Sequence, residues 1–197
     1  TARLGAGQQR KPHAPYQKDR YWSNVPFRHG ANEAIKYSLI PSPGNPSRPL
    51  GTGEHLLRDE LVRHLNEDEQ MSSFDFAVQL LDAERMTYGG RHRSASFWIE
   101  NASVDWKEAE APFHVIGRLT LVAKSQLTDD ELAAMYIDVT ENSSPDTQPL
   151  GSINRARWFA ETAGRKARMA NATPGQALLP VSLTPASRAP ITLRSVF

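Results

Sequence analysis

Cysteine is absent from this sequence. Its absence excludes disulfide bonds, thiolate ligands to a metal ion and a cysteine nucleophile, although it does not distinguish between cellular compartments. Runs of apolar residues are too short to cross a bilayer, and no signal peptide is recognisable. We therefore expect a soluble protein without a membrane span, and we favour the cytoplasm as its compartment.

A large excess of either charge is also missing. Lys and Arg number 23 and Asp and Glu number 22, so the formal net charge is +1. This balance argues against a general attraction to nucleic acid or anionic lipid. The basic, glycine-containing stretch 85–95 is either a phosphate site or a solvated loop. We favour the loop, because neither a helix N-terminus nor a glycine fingerprint accompanies it.

Familiar catalytic and metal-binding motifs are absent as well. The chain has no GxSxG, P-loop or GxGxxG pattern. Its histidines show no ligand spacing such as i,i+4 on one helix, so we interpret them as surface or packing residues. They are His13, His29, His55, His64, His92 and His114.

The hydrophobic periodicity, in contrast, is clear, and 197 residues are enough for one domain with a full core. Apolar and polar residues alternate at 34–40, 74–81 and 113–122, which predicts three strands with one buried face each. We predict that these strands share one antiparallel sheet. Leucines at every fourth position predict an amphipathic helix over 52–66.

Two further helices are predicted from their start signals. A capping box, a Thr followed three residues later by a Glu, predicts a helix over 128–139. A proline and a glycine precede the last helix, which is predicted over 152–172 and capped by Ser152 or Asn154. Small side chains along this helix form a stripe suited to close packing on a sheet or a second helix. They are Ala156, Ala160, Ala163, Ala167 and Ala170.

The two ends of the chain differ from its middle. Residues 1–19 are polar, basic and contain prolines, and we interpret them as an arm. Residues 173–197 are proline-rich and contain no acidic residue, so they are either disordered or an extended arm that grips a partner. One domain over 20–172 remains between the arms.

Four groups of short segments, in a fixed order, carry the most specific pattern in the sequence. They are RYWS at 20–23 with PFR at 26–28 and IKYS at 35–38; FDFAVQ at 74–79; VDW at 104–106 followed by Glu108, Ala109, Pro112 and Phe113; and PLGSINRAR at 149–157. Over roughly residues 16–170 their order and spacing resemble the C-terminal half of the small catalase-related haem proteins.

The resemblance implies an α+β fold, namely the second half of a catalase-like antiparallel β-barrel with flanking helices. In the family, haem lies against this barrel. The half that supplies the distal His and Asn, which handle peroxide, is not among the matched segments, so we expect no complete catalase site in this chain. A partial barrel exposes backbone groups and apolar faces. We expect the N-terminal catalase-like half as a separate chain, a second copy or the two arms to cover them.

The proximal side of the haem site departs from the family pattern. There an Arg is followed four residues later by a Tyr that binds the iron, whereas here Arg157 is followed by Glu161. The resemblance also places Arg168 where an Arg commonly meets a haem propionate. Glu161 is therefore either a carboxylate ligand of ferric haem or one member of an ion-pair ladder with Arg157 and Arg165. We favour the ladder, because Arg157 would compete with iron for the carboxylate.

These observations leave hypotheses from different classes. In the first, the chain is a catalase-related haem-protein subunit, an oxidoreductase acting on peroxide or organic hydroperoxide once the missing half completes it. In the second, it is a haem-free catalase-fold subunit that binds a partner or a small ligand in the old haem cavity. Nucleic-acid binding through 85–93 is a weak third hypothesis, because the net charge opposes it. We expect weak or absent haem binding and no appreciable catalase activity from this chain alone.

Overall fold

The computed structural model describes residues 14–124, 135–136, 138–171, 179–180 and 194–195, and the side chains of 14–124 and 138–167. Within these residues the chain forms a six-stranded antiparallel sheet and two smaller two-stranded sheets. No helix in the same residues combines the length and the apolar character that a bilayer span requires.

The strands are β1 (Tyr21–Trp22), β2 (Phe27–His29), β3 (Glu33–Pro41), β4 (Ser72–Leu80), β5 (Thr87–Tyr88), β6 (Arg91–His92), β7 (Phe113–Leu121), β8 (Met135–Tyr136), β9 (Leu179–Pro180) and β10 (Arg194–Ser195). The helices are α1 (Leu56–Val62), which continues into a π-helical turn (Arg63–Glu67), α2 (Ala95–Glu100) and α3 (Ser152–Asn171). Short 3₁₀ turns are formed by Tyr16–Lys18 and Pro145–Thr147. The main sheet has the order β1-β3-β4-β7-β10, and β2 also pairs with β3.

The three predicted strands are the centre of the main sheet. Strands β3, β4 and β7 are antiparallel neighbours, with Tyr37 opposite Val78 and Phe76 opposite Gly117. The prediction of one antiparallel sheet, and of the α+β class, is therefore confirmed. A β-bulge shifts the register between Phe76 and Ala77, and it leaves Ile116 as the extra residue of β7.

One face of the sheet is covered by the segment that follows β6. Gln79 is buried there, and its Nε2 donates to the carbonyl oxygens of Trp106 at 2.9 Å and of Ala111 at 2.7 Å. Lys36 lies beside it, with its ammonium 4.8 Å from the centre of the Trp106 ring. Burial lowers the pKa of Lys36, and Asp105 partly opposes this effect. The core beneath consists of Ala34, Met86, Trp98, Val104, Trp106 and Ala111.

The opposite face of the sheet is aromatic, and four of its five rings are only half-buried while Phe74 is buried. The Tyr37 and Phe76 rings stack with centroids 5.4 Å apart, and Phe27 lies 5.2 Å from Tyr37. Tyr21 meets Phe74 edge-on at 6.1 Å. We call the side of the sheet that carries these five rings the aromatic face. Tyr37 and Phe76 are diagonal neighbours on adjacent strands, since Tyr37 lies opposite Val78 and Phe76 opposite Leu39, and such side-chain contacts across strands stabilise one surface of a sheet.

The stretch 85–95 is more regular than the predicted loop. Strands β5 and β6 form a hairpin whose turn residues, Gly89 and Gly90, have φ of +59° and +74°. Directly after it, Ser94 accepts a hydrogen bond from the Phe97 amide at 3.3 Å and caps α2, a helix that the sequence analysis did not predict. The loop prediction is therefore wrong for the hairpin residues.

The predictions for the helices over 52–66 and 128–139 and for the two arms have mixed outcomes. Helix α1 begins at Leu56, four residues later than predicted. The predicted helix over 128–139 falls mostly outside the described residues, and it is wrong at Met135–Tyr136, which pair in parallel with Leu179–Pro180 as β8 and β9. The arm boundaries stay predictions. Residues within both predicted arms nevertheless contact the domain, since Gln17 is fully buried and β10 pairs with β7.

A buried histidine connects the π-helical turn to β4. His64 is 3% exposed, and its Nε2 lies 2.7 Å from the Ser72 Oγ. Burial lowers the pKa of this imidazole below its ordinary value of 6.5, Arg63 adds to the effect and Asp68 partly opposes it. The folded chain therefore holds His64 neutral at a pH where the unfolded chain already binds a proton.

We expect acidification to destabilise the protein through His64. The contribution is complete above about pH 6.5 and is lost as the pH falls further, because the unfolded state then takes up a proton that the folded state refuses. Urea unfolding at about pH 7.5 and about pH 5.5 should show a smaller pH difference for His64→Gln than for the wild type. The exposed His92→Gln serves as control. Equal pH differences in all three proteins would contradict the assignment.

Candidate functional site

The segment PLGSIN at 149–154 fixes the start of helix α3 against the sheet. The Pro26 carbonyl oxygen accepts from the Leu150 amide at 2.9 Å and from the Asn154 Nδ2 at 3.0 Å. The same Nδ2 donates to the Leu150 carbonyl oxygen at 2.8 Å. Gly151 has φ +87°, and a Cβ at this position would lie 2.4 Å from the Ile99 carbonyl oxygen. Only glycine fits both the backbone conformation and the contact.

The predicted caps of α3 act as donors instead. Ser152 is the first residue of the helix, and its Oγ donates to the Glu100 carbonyl oxygen at 3.0 Å. The Asn154 Oδ1 is buried and has no hydrogen-bond partner among the described residues, so this side chain does not cap the helix. Arg155 adds a bidentate pair with Glu100 at 2.7 and 3.1 Å, and it holds the pKa of the Glu100 carboxyl below its usual range.

Helix α3 turns its polar side toward the rest of the chain. Asn154 is buried, and Arg157, Glu161 and Arg165 are half-buried along the same side. The alanines at 156, 160, 163 and 167 are exposed, as are Ile153 and Phe159. The prediction that the alanine stripe packs against a sheet or helix is therefore wrong for these four residues, and Ala170 lies outside the described side chains.

Arg165 connects the helix to the loop that precedes it. Its guanidinium donates to Asp138 at 3.5 Å and makes a bidentate pair with Glu141, one branch of which is 2.6 Å long. Asp138 is buried, and its other oxygen accepts from the amides of Thr140 and Glu141 at 2.9 Å each. The guanidinium also holds the pKa of the Glu141 carboxyl below its usual range. This cluster ties α3 to residues 138–141.

Glu161 forms the predicted pair with Arg157. The Arg157 Nη2 donates to the Glu161 Oε1 at 3.1 Å, and 25% of the Glu161 side chain is exposed. The other carboxylate oxygen, Oε2, is buried and has no hydrogen-bond partner among the described residues. Of the predicted ladder, the ion pair between Arg157 and Glu161 is present, whereas Arg165 pairs with the carboxylates of Asp138 and Glu141. The side chain of Arg168 lies outside the described residues.

The surroundings of Glu161 do not fit an axial ligand of haem. One oxygen is bound to a guanidinium, and the other is enclosed by protein. A haem ligand needs a donor that opens onto a space large enough for the macrocycle. Neither the cavity of about 420 Å³ nor that of about 260 Å³ in the described part of the chain is lined by Glu161 or Arg157. No group of three or more His, Asp or Glu in that part is arranged to hold a metal ion.

The larger cavity lies on the aromatic face, and the sequence analysis missed it. Period-2 alternation indicated that one side of each strand is apolar, but it did not show that β1, β3, β4 and β7 leave a depression between them. We call this depression the sheet cavity. It is lined by Tyr21, Trp22, Ser23, Tyr37, Ser38, Leu39, Phe76 and Leu119.

Comparison with known proteins supports the fold. No family model and no curated protein matches the sequence. A fungal catalase matches with a TM-score of 0.60 and 11% identity over 84% of this chain and 34% of its own. Catalase A from Saccharomyces cerevisiae matches with 0.56 and 11% over 79% and 33%. A bacterial catalase matches with 0.60 and 14% over 93% and 37%. The chain therefore has a catalase-like fold and spans about a third of the length of these catalases.

We expect Gly151→Ala to destabilise the chain by about 2 kcal/mol or more, because the new Cβ meets the Ile99 carbonyl and the backbone stays in the left-handed region. Gly164→Ala is the matched control. It lies inside α3 with open space around it, so this change should stabilise the chain by about 0.5 to 1 kcal/mol. Urea unfolding measures both, and equal effects would refute the proposed close contact.

Two arginines of α3 should differ in their contribution to stability. Arg165→Ala leaves the buried Asp138 carboxylate without its cation, at a cost of about 2 kcal/mol. Arg157→Ala should cost less than about 1 kcal/mol, because Arg157 is 42% exposed and its ion pair is screened by water. Chemical denaturation of both variants tests the order, and a larger loss for Arg157→Ala would contradict it.

Proposed function

We propose that this catalase-fold chain acts by binding, as a haem-free subunit without catalytic activity of its own. The observation that carries this proposal is the state of Glu161. One carboxylate oxygen is paired with Arg157 and the other is enclosed by protein, at the position where the family resemblance puts the iron ligand. A carboxylate neutralised by a guanidinium is a poor competitor for a ferric ion.

Other residues that carry the family resemblance, in contrast, make structural contacts in this chain. Leu150, Gly151 and Asn154 dock the helix through hydrogen bonds and a close backbone approach. The contacts that hold helix α3 are therefore present, whereas the position that the resemblance gives to the iron-binding Tyr is occupied by Glu161. Such a chain would have a catalase-like architecture without the proximal ligand. This combination supports binding over catalysis.

A haem-dependent oxidoreductase acting on peroxide or organic hydroperoxide is the second candidate. The observation in its favour is the unpaired Glu161 Oε2, which retains a lone pair for a ligand. Arg168, which the resemblance assigns to a haem propionate, belongs to this candidate too. It requires a second polypeptide that supplies the distal His and Asn, and movement of Arg157 or of the groups that enclose the carboxylate.

The partner we propose is a polypeptide that covers the aromatic face. In the cell this is the remaining half of a catalase-like barrel on a separate chain, and for the purified chain it is a second copy. Two features support this. Four of the five rings on the aromatic face, those of Tyr21, Phe27, Tyr37 and Phe76, are only half-buried. Among the described residues, β7 pairs with β10 only at Gly117 and Arg118.

Haem titration tests the first proposal. Purified chain mixed with haemin should give no strong Soret band, and Glu161→Ala should behave alike. Glu161→Tyr should raise haem affinity, because a phenolate next to Arg157 recreates the proximal pair that the family resemblance implies. A stoichiometric Soret band in the wild type that is lost in Glu161→Ala would overturn the proposal and favour the oxidoreductase.

Light scattering tests the partner. We expect a mass above that of one 21.9 kDa chain, with the fraction of larger species rising with concentration, because association buries the aromatic face. A chain that stays monomeric at every concentration would contradict the proposal of a second copy.

A further inference from the structure

The sheet cavity has the size and walls of a small-molecule site. Its volume of about 420 Å³ falls within the range of ligand pockets, roughly 300 to 1,000 Å³. Strands β3 and β4 supply its floor, where the stacked rings of Tyr37 and Phe76 lie only 18° from parallel. Leu39 and Leu119 form the apolar sides. Flat ring faces beside aliphatic side chains suit an aromatic or aliphatic ligand.

Three hydroxyl groups of the lining residues already have hydrogen-bond partners in the protein. The Ser23 Oγ accepts from the Tyr37 amide at 2.8 Å, and the Ser38 Oγ donates to the Tyr21 carbonyl oxygen at 2.9 Å. The Tyr21 hydroxyl donates to the Tyr16 carbonyl oxygen at 2.8 Å. A ligand therefore gains little from hydrogen bonds with these groups, and contact with apolar surface is what it can gain.

The wall also carries no charge at neutral pH. None of its eight residues is Asp, Glu, Lys, Arg or His. Burial is the main cause that raises the pKa of Tyr21 to about 12, and burial also raises the pKa of Tyr37, so both phenols stay protonated. The nearby Arg20 is held between Trp22 and Phe113, 5.0 Å from each ring, and pairs with Glu108. A charged ligand would lose hydration without a compensating partner.

We propose that the sheet cavity binds an uncharged, mainly apolar small molecule whose ring lies against Tyr37 and Phe76. This inference rests on the proposed function, in which the chain acts by binding, and it names the class of ligand. The proposed site consists of side chains of the sheet and of the adjoining segment, and it includes no residue of α3. If the sheet cavity binds no ligand, the haem titration of Glu161 variants is unaffected, so the two proposals can be tested separately.

Two fluorescent probes that differ by one charged group test the inference on the full chain, at a concentration where light scattering shows the monomer, because a second copy on the aromatic face would cover the cavity. N-phenylnaphthylamine is neutral, and anilinonaphthalene sulfonate adds a sulfonate to nearly the same rings. We expect saturable, stoichiometric binding of the neutral probe, with the anionic probe bound about tenfold more weakly or worse. Equal affinity for the two probes, or no saturable binding of the neutral one, would overturn the proposal.

A matched pair of variants locates the site. Leu119→Lys brings a charge to the cavity wall and should weaken the neutral probe by about tenfold or more. Ile116→Lys places the same group on the same strand at the exposed bulge, outside the cavity, and should change affinity less than about twofold. Equal effects of the two variants would refute the location.

Tyr37→Leu covers the case in which Leu119→Lys does not fold. It keeps an apolar side chain but removes one ring of the stacked pair, and circular dichroism establishes that it folds. We expect affinity for the neutral probe to fall by about threefold to tenfold, as for a lost aromatic contact. Unchanged affinity in a folded Tyr37→Leu would overturn the placement of the ring.

Discussion

The arrangement of this chain depends on one carbonyl oxygen, that of Pro26. It accepts hydrogen bonds from the Leu150 amide and the Asn154 side chain, which join the first strands to the start of the last helix across more than a hundred residues. Proline donates no backbone hydrogen bond, but its carbonyl retains two lone pairs. Gly151 completes the junction because the absence of a Cβ lets α3 begin against the end of α2.

This junction determines which side of α3 faces the protein. Once Asn154 is buried, the residues one, two and three turns further on, Arg157, Glu161 and Arg165, follow it inward. The helix therefore meets the chain through ion pairs, with Arg165 on the 138–141 loop and Arg157 on Glu161. Alanines and Phe159 face outward. The residues that position this helix are therefore Asn154 and the charged residues that follow it on the same side.

The main sheet divides the molecule into two unlike halves. One face carries Lys36 and Gln79 beneath Trp106, where a buried amide satisfies two loop carbonyls and a buried ammonium rests on an aromatic ring. The other face carries stacked rings beside a cavity in which the hydroxyl groups of Tyr21, Ser23 and Ser38 already have partners in the protein. A sheet face that is apolar and carries no charged side chain around its cavity gains free energy mainly when that surface is buried.

Local pattern was sufficient for the strands at 34–40, 74–81 and 113–122, because a half-buried strand shows its two faces in alternate residues and needs no distant partner to be recognised. The order of motifs was sufficient for the catalase-like fold, and the break at 149–151 for the start of α3. Tertiary structure decided the rest. A 3.6-residue period does not tell which side of α3 is buried when the buried side is polar, and the predicted packing of the alanine stripe was wrong for this reason. The side chains of Ser152 and Asn154 donate to carbonyl oxygens of other segments, which local sequence does not indicate. The hairpin and helix α2 depend on local signals other than periodicity, namely the Gly89-Gly90 turn and the Ser94 cap. The sheet cavity arises from contacts between strands far apart in the chain, and periodicity in a single segment cannot reveal such contacts.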